Sequence, residues 1–278
     1  MRMQFTMTSA EGKRMIAKGI SSLNRVKKAL KSGKIVLKGG TTVSAISEEL
    51  IGKPMKISGR ITPLGTKTTK SVSKHDDPHS LLIEKGKEIN IDDRWEEAMS
   101  RLEPGDCFIT GANVIDVHGN AALMVGTRFG ARPGPWIQGA WTEGIHAIIA
   151  VGLEKLIPGS VNEIIKVAGR KRVDKSYGMA VGFIPLFGEV FTEVDAIQAL
   201  ARVDCHVIGK GGIFGAEGST TVLVEGSQGE VSRLEEIYQE VHGSSVSGRP
   251  ESLAECEMGI PACKRHLRCV YKSGFQFK

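Results

Sequence analysis

Two short stretches hold residues whose types and spacing could do chemistry. The first is Lys38-Gly39-Gly40-Thr41-Thr42-Val43. It follows the run Lys34-Ile35-Val36-Leu37 and precedes Val43, Ile46, Leu50 and Ile51 at helical spacing. A glycine pair between strand and helix leaves bare N–H groups at the positive helix end, beside a lysine and two hydroxyls. That is chemistry suited to a phosphate or carboxylate. The same spacing serves a plain βα turn in which Thr41 or Thr42 caps the helix. The second stretch is Thr110-Gly111-Ala112-Asn113-Val114-Ile115-Asp116, with Gly119-Asn120 and Val125-Gly126-Thr127-Arg128 beyond it. A strand ending in Gly-Ala-Asn puts Asn113 and Asp116 at the carboxyl edge of a sheet, where α/β proteins bind ligands. Its alternative is a tight turn in which Asn and Asp bond their own backbone.

Other candidates are single residues or loose groups. Glu143, in Trp141-Thr142-Glu143-Gly144, follows a loop stiffened by Pro133 and Pro135 and is the first choice for a general base, with Asp116 second. Its competing role is that of a surface glutamate. Cys256, Cys263 and Cys269, with His266 among them, match no common zinc or cluster spacing and read as structural thiols. His75 and His79 would grip a metal only on a helix, which Pro78 opposes, so a solvated loop is expected there. The glycine-rich run 209–218 reads as a flexible ββ link before it reads as an anion nest. No metal and no cofactor is expected.

The elements that must position these residues follow from the pattern of the chain. Its 278 residues, 41% hydrophobic and 24% charged, describe a packed globular protein. The net charge of +6 gathers early, from Lys13 to Lys34. Met15, Ile16, Ile20, Leu23, Val26 and Leu30 recur between those charges at helical spacing, so the lysines read as the wet face of an amphipathic helix over 11–31. An aromatic content of 5% argues against a stacking platform for single-stranded nucleic acid. There is no signal-peptide pattern and no membrane-length apolar run, and five cysteines without disulfide-domain spacing suit a cytoplasmic protein. Expected partners are an anionic small molecule and a second copy of the chain, with no specific nucleic acid and no membrane.

Strand, glycine turn and helix at 34–51 open a parallel α/β sheet. Further strands are expected at 55–64, 81–91, 106–110, 121–125 and 145–151, with a mobile loop at 65–80. After about Tyr177 the order becomes strand 179–186, helix 193–201, strands 205–208 and 220–224, helix 234–241 and strand 266–271. That order is βαββαβ. The fold expectation is therefore α/β: a Rossmann-like domain over 1–175 and a smaller ferredoxin-like α+β domain over 176–278.

The motifs carry a resemblance across roughly residues 30–165. Ile35 to Val43 resembles the strand-GTGST-helix phosphate loop of type A ribose-5-phosphate isomerases. Asp106 to Asn113, with Ile115-Asp116, is similar to their D-x-x-x-DGADE segment. Gly111, Ala112, Gly119, Gly126 and Thr127 also resemble the GAD…G…GT pattern of methylthioribose-phosphate isomerases. His146 to Pro158 is similar to a strand and turn of the lactate-utilisation family. All belong to one superfamily with the CoA transferases and glucosamine-phosphate deaminases. The resemblance implies a Rossmann-like domain and an isomerase-like or transferase-like activity on a phosphorylated sugar or CoA-linked acid. The chain departs where chemistry is done. Asn113 replaces the carboxylate after Gly-Ala, Arg128 replaces a lysine, and the transferase nucleophile in Glu-Asn-Gly is missing. A non-catalytic protein that keeps the superfamily pocket to sense a phosphometabolite is the rival expectation.

Overall fold

A computed structural model describes residues 1–69 and 77–274. The chain opens with strand β1 (Arg2–Met7), helices α1 (Ser9–Ser22) and α2 (Asn24–Ser32), strand β2 (Lys34–Lys38) and helix α3 (Thr41–Ile51). Two hairpins follow, β3 (Gly59–Thr62) with β4 (Gly65–Thr68), and β5 (Ser80–Glu84) with β6 (Lys87–Asn90). Next come α4 (Trp95–Ser100), β7 (Cys107–Gly111), β8 (Val114–Ile115), β9 (Ala121–Val125), α5 (Gly139–Thr142), β10 (His146–Ala150) and α6 (Val161–Val167). The last part holds β11 (Gly182–Leu186), β12 (Glu189–Phe191), α7 (Glu193–Leu200), β13 (Val203–Gly211), β14 (Ser219–Gly226), α8 (Gln228–Val241) and α9 (Pro250–Leu253).

The molecule is mixed α/β. Its central sheet has the order β12-β10-β7-β2-β5-β6, with β12, β10, β7 and β2 parallel and the β5–β6 hairpin antiparallel at one side. Alternate residues of the same strands face two cores. Ile35, Leu37, Ile109 and Ile148 join α1, α3 and α7 on one face, while Val36, Phe108 and Ile149 meet Trp95, Met99 and Ala140 on the other. Burial on both faces is why these strands read as unbroken apolar runs. The apolar stripe at 11–31 is buried as expected, although Leu23 breaks it into two helices. Much of its basic face is not wet. Arg14 pairs with Glu48, Lys18 with Glu240 at 2.7 Å, and Arg25 with Glu189.

Strands from the two sides of residue 175 share sheets. β12 completes the sheet that β2 begins, and β1 pairs antiparallel with β14, which pairs in turn with β13. The adjacent 205–208 and 220–224 strands were expected and are present. The ferredoxin-like arrangement is not what they build, because β11 pairs with β9 in a separate small sheet and 266–271 forms no strand. Within that stretch Cys269 makes an isolated bridge to Ser176, and a 3-10 turn occupies Val270–Ser273. A short apolar run cannot by itself separate a strand from a buried turn. The single strand expected at 81–91 is the β5–β6 hairpin, turned at Lys85-Gly86 with φ of 49° and 75°. The loop expected at 65–80 contains β4, and residues 70–76, His75 among them, lie outside the described set. Among the described residues no helix is long and apolar enough to cross a membrane.

Candidate functional site

Parallel strands put whatever follows them at one edge. At the ends of β2 and β7, Lys38 stands opposite Thr110, and at the ends of β7 and β10, Gly111 stands opposite Ala150. The loop 39–43 and the Gly111 turn therefore share the carboxyl edge, and a Cβ on Gly111 would lie 3.9 Å from Val43 Cγ2.

The two glycines of the loop do different work. Gly39 donates to the His79 carbonyl at 2.9 Å, and a Cβ there would fall 2.2 Å from that oxygen, so only glycine lets the backbones approach. Gly40 has nothing within 4 Å of a built Cβ, so its space is open. It begins α3 without any side-chain cap, and its carbonyl accepts Ser44 N–H at 2.7 Å. Thr41 and Thr42 do not cap the helix. The buried Thr42 hydroxyl has no hydrogen-bond partner. Burial pushes the partly buried Lys38 ammonium down to about 8, and among the described residues it has no partner to hold it charged. An uncapped helix start beside an unpaired ammonium is a field that favours an anion.

A second charged group, not legible in the sequence, occupies the same edge, after β10 and β12. Glu193 begins α7 and is 2% exposed. Burial, reinforced by Glu154, pushes its carboxyl up to about 7, against the Leu153 N–H bond at 2.9 Å. Gly12 of α1 makes room for it, since a Cβ there would lie 2.6 Å from Glu193 Oε1. Lys13 Nζ stands 3.3 Å and Lys155 Nζ 3.9 Å from Glu154 Oε1. These are ion pairs without hydrogen-bond geometry, and both Glu154 oxygens are buried with no hydrogen-bond partner. Burial lowers the Lys155 and Lys210 ammoniums, with the two glutamates opposing it. A carboxyl poised near neutrality among lysines can take and return a proton. Glu154 and Lys155 were visible as part of the 146–158 strand and turn. Glu193 looked like an ordinary first-turn helix acid, and nothing local distinguishes it.

Several expected site residues serve other ends. Asp116 is buried, and burial pushing its carboxyl up is outweighed by hydrogen bonds from Asn120, Val161 and His118, which hold it at about 2. Its oxygens accept Asn120 Nδ2 at 2.9 and 3.1 Å and the backbone N–H groups of His118, Asn120 and Val161 at 3.0 Å. A carboxylate so saturated is a turn anchor and has no lone pair free to act as a base. The Asn113 side-chain carbonyl accepts Met124 N–H at 2.9 Å, which leaves its amide group to donate. Gly126 packs against Met179, and a Cβ there would lie 2.8 Å from the sulfur. Arg128 is exposed, its guanidinium 4.8 Å from the Phe129 ring centre.

Glu143 is exposed and stands just before β10. A residue preceding a parallel strand lies at the amino edge, roughly 16 Å of strand away from the carboxyl edge. Glu143 therefore does not share the edge of Lys38 and Gly40. Among the described residues His79 holds backbone groups, its N–H donating to Asp92 at 2.9 Å and Nδ1 lying 3.3 Å from the Lys56 carbonyl. No family model matches the chain, and no curated protein matches it at a significant level.

Proposed function

We propose that the carboxyl edge binds an anionic small molecule, a phosphorylated sugar or a CoA-linked acid, and does acid–base chemistry on it as an isomerase-like or transferase-like enzyme. The observation that carries this reading is Lys38, an ammonium without a partner among the described residues, next to the uncapped start of α3. A buried charge left unpaired costs stability, and a ligand that pairs it recovers that cost. In this reading Lys38, Gly40, Thr41 and Thr42 hold the anion. Glu193 moves the proton in place of Glu143, and the Asn113 amide donates to developing negative charge on oxygen. The strand-glycine-helix order at 34–51 and the parallel strands around it support a Rossmann-like unit of the ribose-5-phosphate isomerase and CoA-transferase superfamily.

One observation favours a second reading, binding without catalysis. Asn113 stands where the isomerases have a carboxylate, and Asp116 is locked by its hydrogen bonds. The test is thermal stabilisation by inorganic pyrophosphate, ribose 5-phosphate and acetyl-CoA, run on the parent and on Gly40→Val. The open space at Gly40 lets the variant fold while its side chain blocks the helix start. The expected result is a rise in Tm with at least one compound, absent in the variant. Equal protection of both proteins, or of neither at millimolar concentration, would overturn the site. Deuterium exchange into a bound sugar phosphate, followed by NMR, separates the enzyme from the binder.

A further inference from the structure

The net charge of +6 is not spread evenly along the chain. Residues 169–175 and 261–274 hold eight of the 37 basic residues and one of the 31 acidic ones, Asp174. Elsewhere 29 basic residues stand against 30 acidic ones, so the whole excess lies in these two runs. The fold lays the runs side by side. Ser176 N–H donates to the Arg268 carbonyl at 3.0 Å, Val270 N–H to the Ser176 carbonyl at 2.9 Å and Ala180 N–H to the Leu267 carbonyl at 3.1 Å. Arg170 Nη2 donates to the Arg265 carbonyl at 2.8 Å.

The charges face solvent. Lys171, Arg172 and Lys175 of the first run are exposed, and so are Lys264, Arg265, Arg268 and Lys272 of the second. Arg172 and Lys272 donate to backbone carbonyls, those of Lys166 and His266. Among the described residues Lys171, Arg172, Lys264, Arg265, Arg268 and Lys272 form no ion pair with a carboxylate. Their field acts on the buried His266 between them. Burial, and then Arg265, Lys272 and Arg170, hold its ring at about 4. Like charges gathered in this way repel one another until an anion spans them. Half of the eight are arginines, whose planar forks match phosphate oxygens in pairs. Among the described residues the one exposed aromatic ring at the junction of the runs is Tyr177, 45% exposed, with Lys175 Nζ 5.6 Å from its centre. A single ring is no platform for stacked bases, which leaves the backbone of a duplex as the polyanion that fits. The runs form turns and short 3-10 segments, not an amphipathic helix that could lie in a bilayer surface.

We propose that the surface made by residues 169–175 and 261–274 binds the phosphate backbone of double-stranded nucleic acid without regard to its sequence. Eight cations along two adjacent runs exceed what one small anion can pair, and a duplex presents a phosphate charge every ~1.7 Å of its axis. The other exposed basic group is Lys27, Lys28 and Lys31 of α2. It lies on one short helix whose single arginine, Arg25, is already held by Glu189. That group is the internal control. The proposal does not rest on the anion site of Lys38 and Gly40, and either can fail without the other.

The test is fluorescence anisotropy of the full chain with labelled 20-base-pair duplexes, DNA and RNA, each in two unrelated sequences. The expected Kd is about 1–100 µM at 150 mM salt, the same for both sequences of a kind. Affinity should fall ~10²–10³-fold between 50 and 200 mM salt, the loss for about four to six phosphate contacts. Binding of one kind of duplex alone supports the proposal and identifies the source of the phosphates. The triple variant Lys171→Gln, Lys264→Gln, Arg265→Gln should bind at least ~10-fold more weakly, with a salt slope lower by about three. Its Tm should match the parent, since none of the three side chains is buried. The variant Lys27→Gln, Lys28→Gln, Lys31→Gln changes the net charge equally and should bind like the parent. Equal losses in the two variants would overturn the proposal, because binding would then follow net charge and not this surface. Kd values above ~1 mM at 50 mM salt would overturn it as well. So would capture by phosphatidylserine vesicles with no binding of either duplex, which would assign the surface to a membrane.

Discussion

The two edges of the central sheet treat charge in opposite ways. At the amino edge the carboxylates of Asp106 and Glu189 are answered. Asp106 accepts the N–H groups of Lys34 at 2.7 Å and Glu103 at 2.9 Å and meets Lys34 Nζ at 3.3 Å. Glu189 holds Arg25 and accepts His146 Nε2 at 2.9 Å. At the carboxyl edge, among the described residues, Lys38 has no partner and Glu154 accepts no hydrogen bond, while Glu193 is pushed toward protonation. Both edges are built from the same strands, so the difference is not one of scaffold. Satisfied charges fix a structure, and buried charges left unsatisfied cost stability unless something else binds there. That contrast sends the candidate site to the carboxyl edge and removes Glu143 from it.

The sharpest break in the contrast is Lys38→Met. At the carboxyl edge it should weaken binding of whichever anion protects the parent by more than ~100-fold, the scale of a lost buried charge pair. The free protein should not be destabilised. The Lys38 ammonium lies below its ordinary range, at about 8, so its burial costs stability below that pH and the cost fades as pH rises toward 10.5. The variant's gain should therefore be largest below about pH 8 and fade to nothing by about pH 10.5. Denaturant unfolding with and without ligand measures both. A loss of stability in the free variant would mean that Lys38 is a paired structural residue.

Asp106→Ala tests the other edge. It strands the Lys34 and Glu103 N–H groups in a buried place and should cost about 2–4 kcal/mol, leaving ligand protection intact. Were it to abolish ligand protection at a temperature where the variant stays folded, the division between the edges would fail.

Glu193→Gln should change the shape of the pH–stability curve. The folded carboxyl titrates near 7 and the unfolded one near 4.5. The folded form therefore keeps a proton that the unfolded form releases across that window, and stability falls as pH rises from 4.5 to 7. Glutamine removes that fall, so the variant should exceed the parent by about 1–3 kcal/mol at pH 8 and match it near pH 4.5. Parallel curves would show that Glu193 is ionised throughout. The smallest effect belongs to Glu143→Gln, an exposed residue at the amino edge, which should stay within about 0.5 kcal/mol of the parent with unchanged ligand affinity.

Much of the fold and part of the site could be read from the chain alone. Strand, glycine pair and helix at 34–51 are local signals, and local signals fixed them: Gly39 is needed where backbones meet, and Gly40 opens α3. The apolar runs expected as strands at 106–110 and 145–151 form β7 and β10, because burial on both faces leaves no alternation to misread. Asp116 was placed correctly in its turn, but its type suggested chemistry that its hydrogen bonds forbid. What tertiary structure alone decided is which distant residues meet. Glu193 lies far along the chain from Gly12 and Lys13, and only the packing of α1 against α7 makes a helix acid into a buried carboxyl near neutrality. The edge on which Glu143 falls depends on the direction of β10, and the partners of β11 and β14 depend on pairings across the whole chain. Periodicity and turn chemistry act over a few residues and are written in the sequence. Desolvation and charge pairing act through space, and they exist only once the chain has folded.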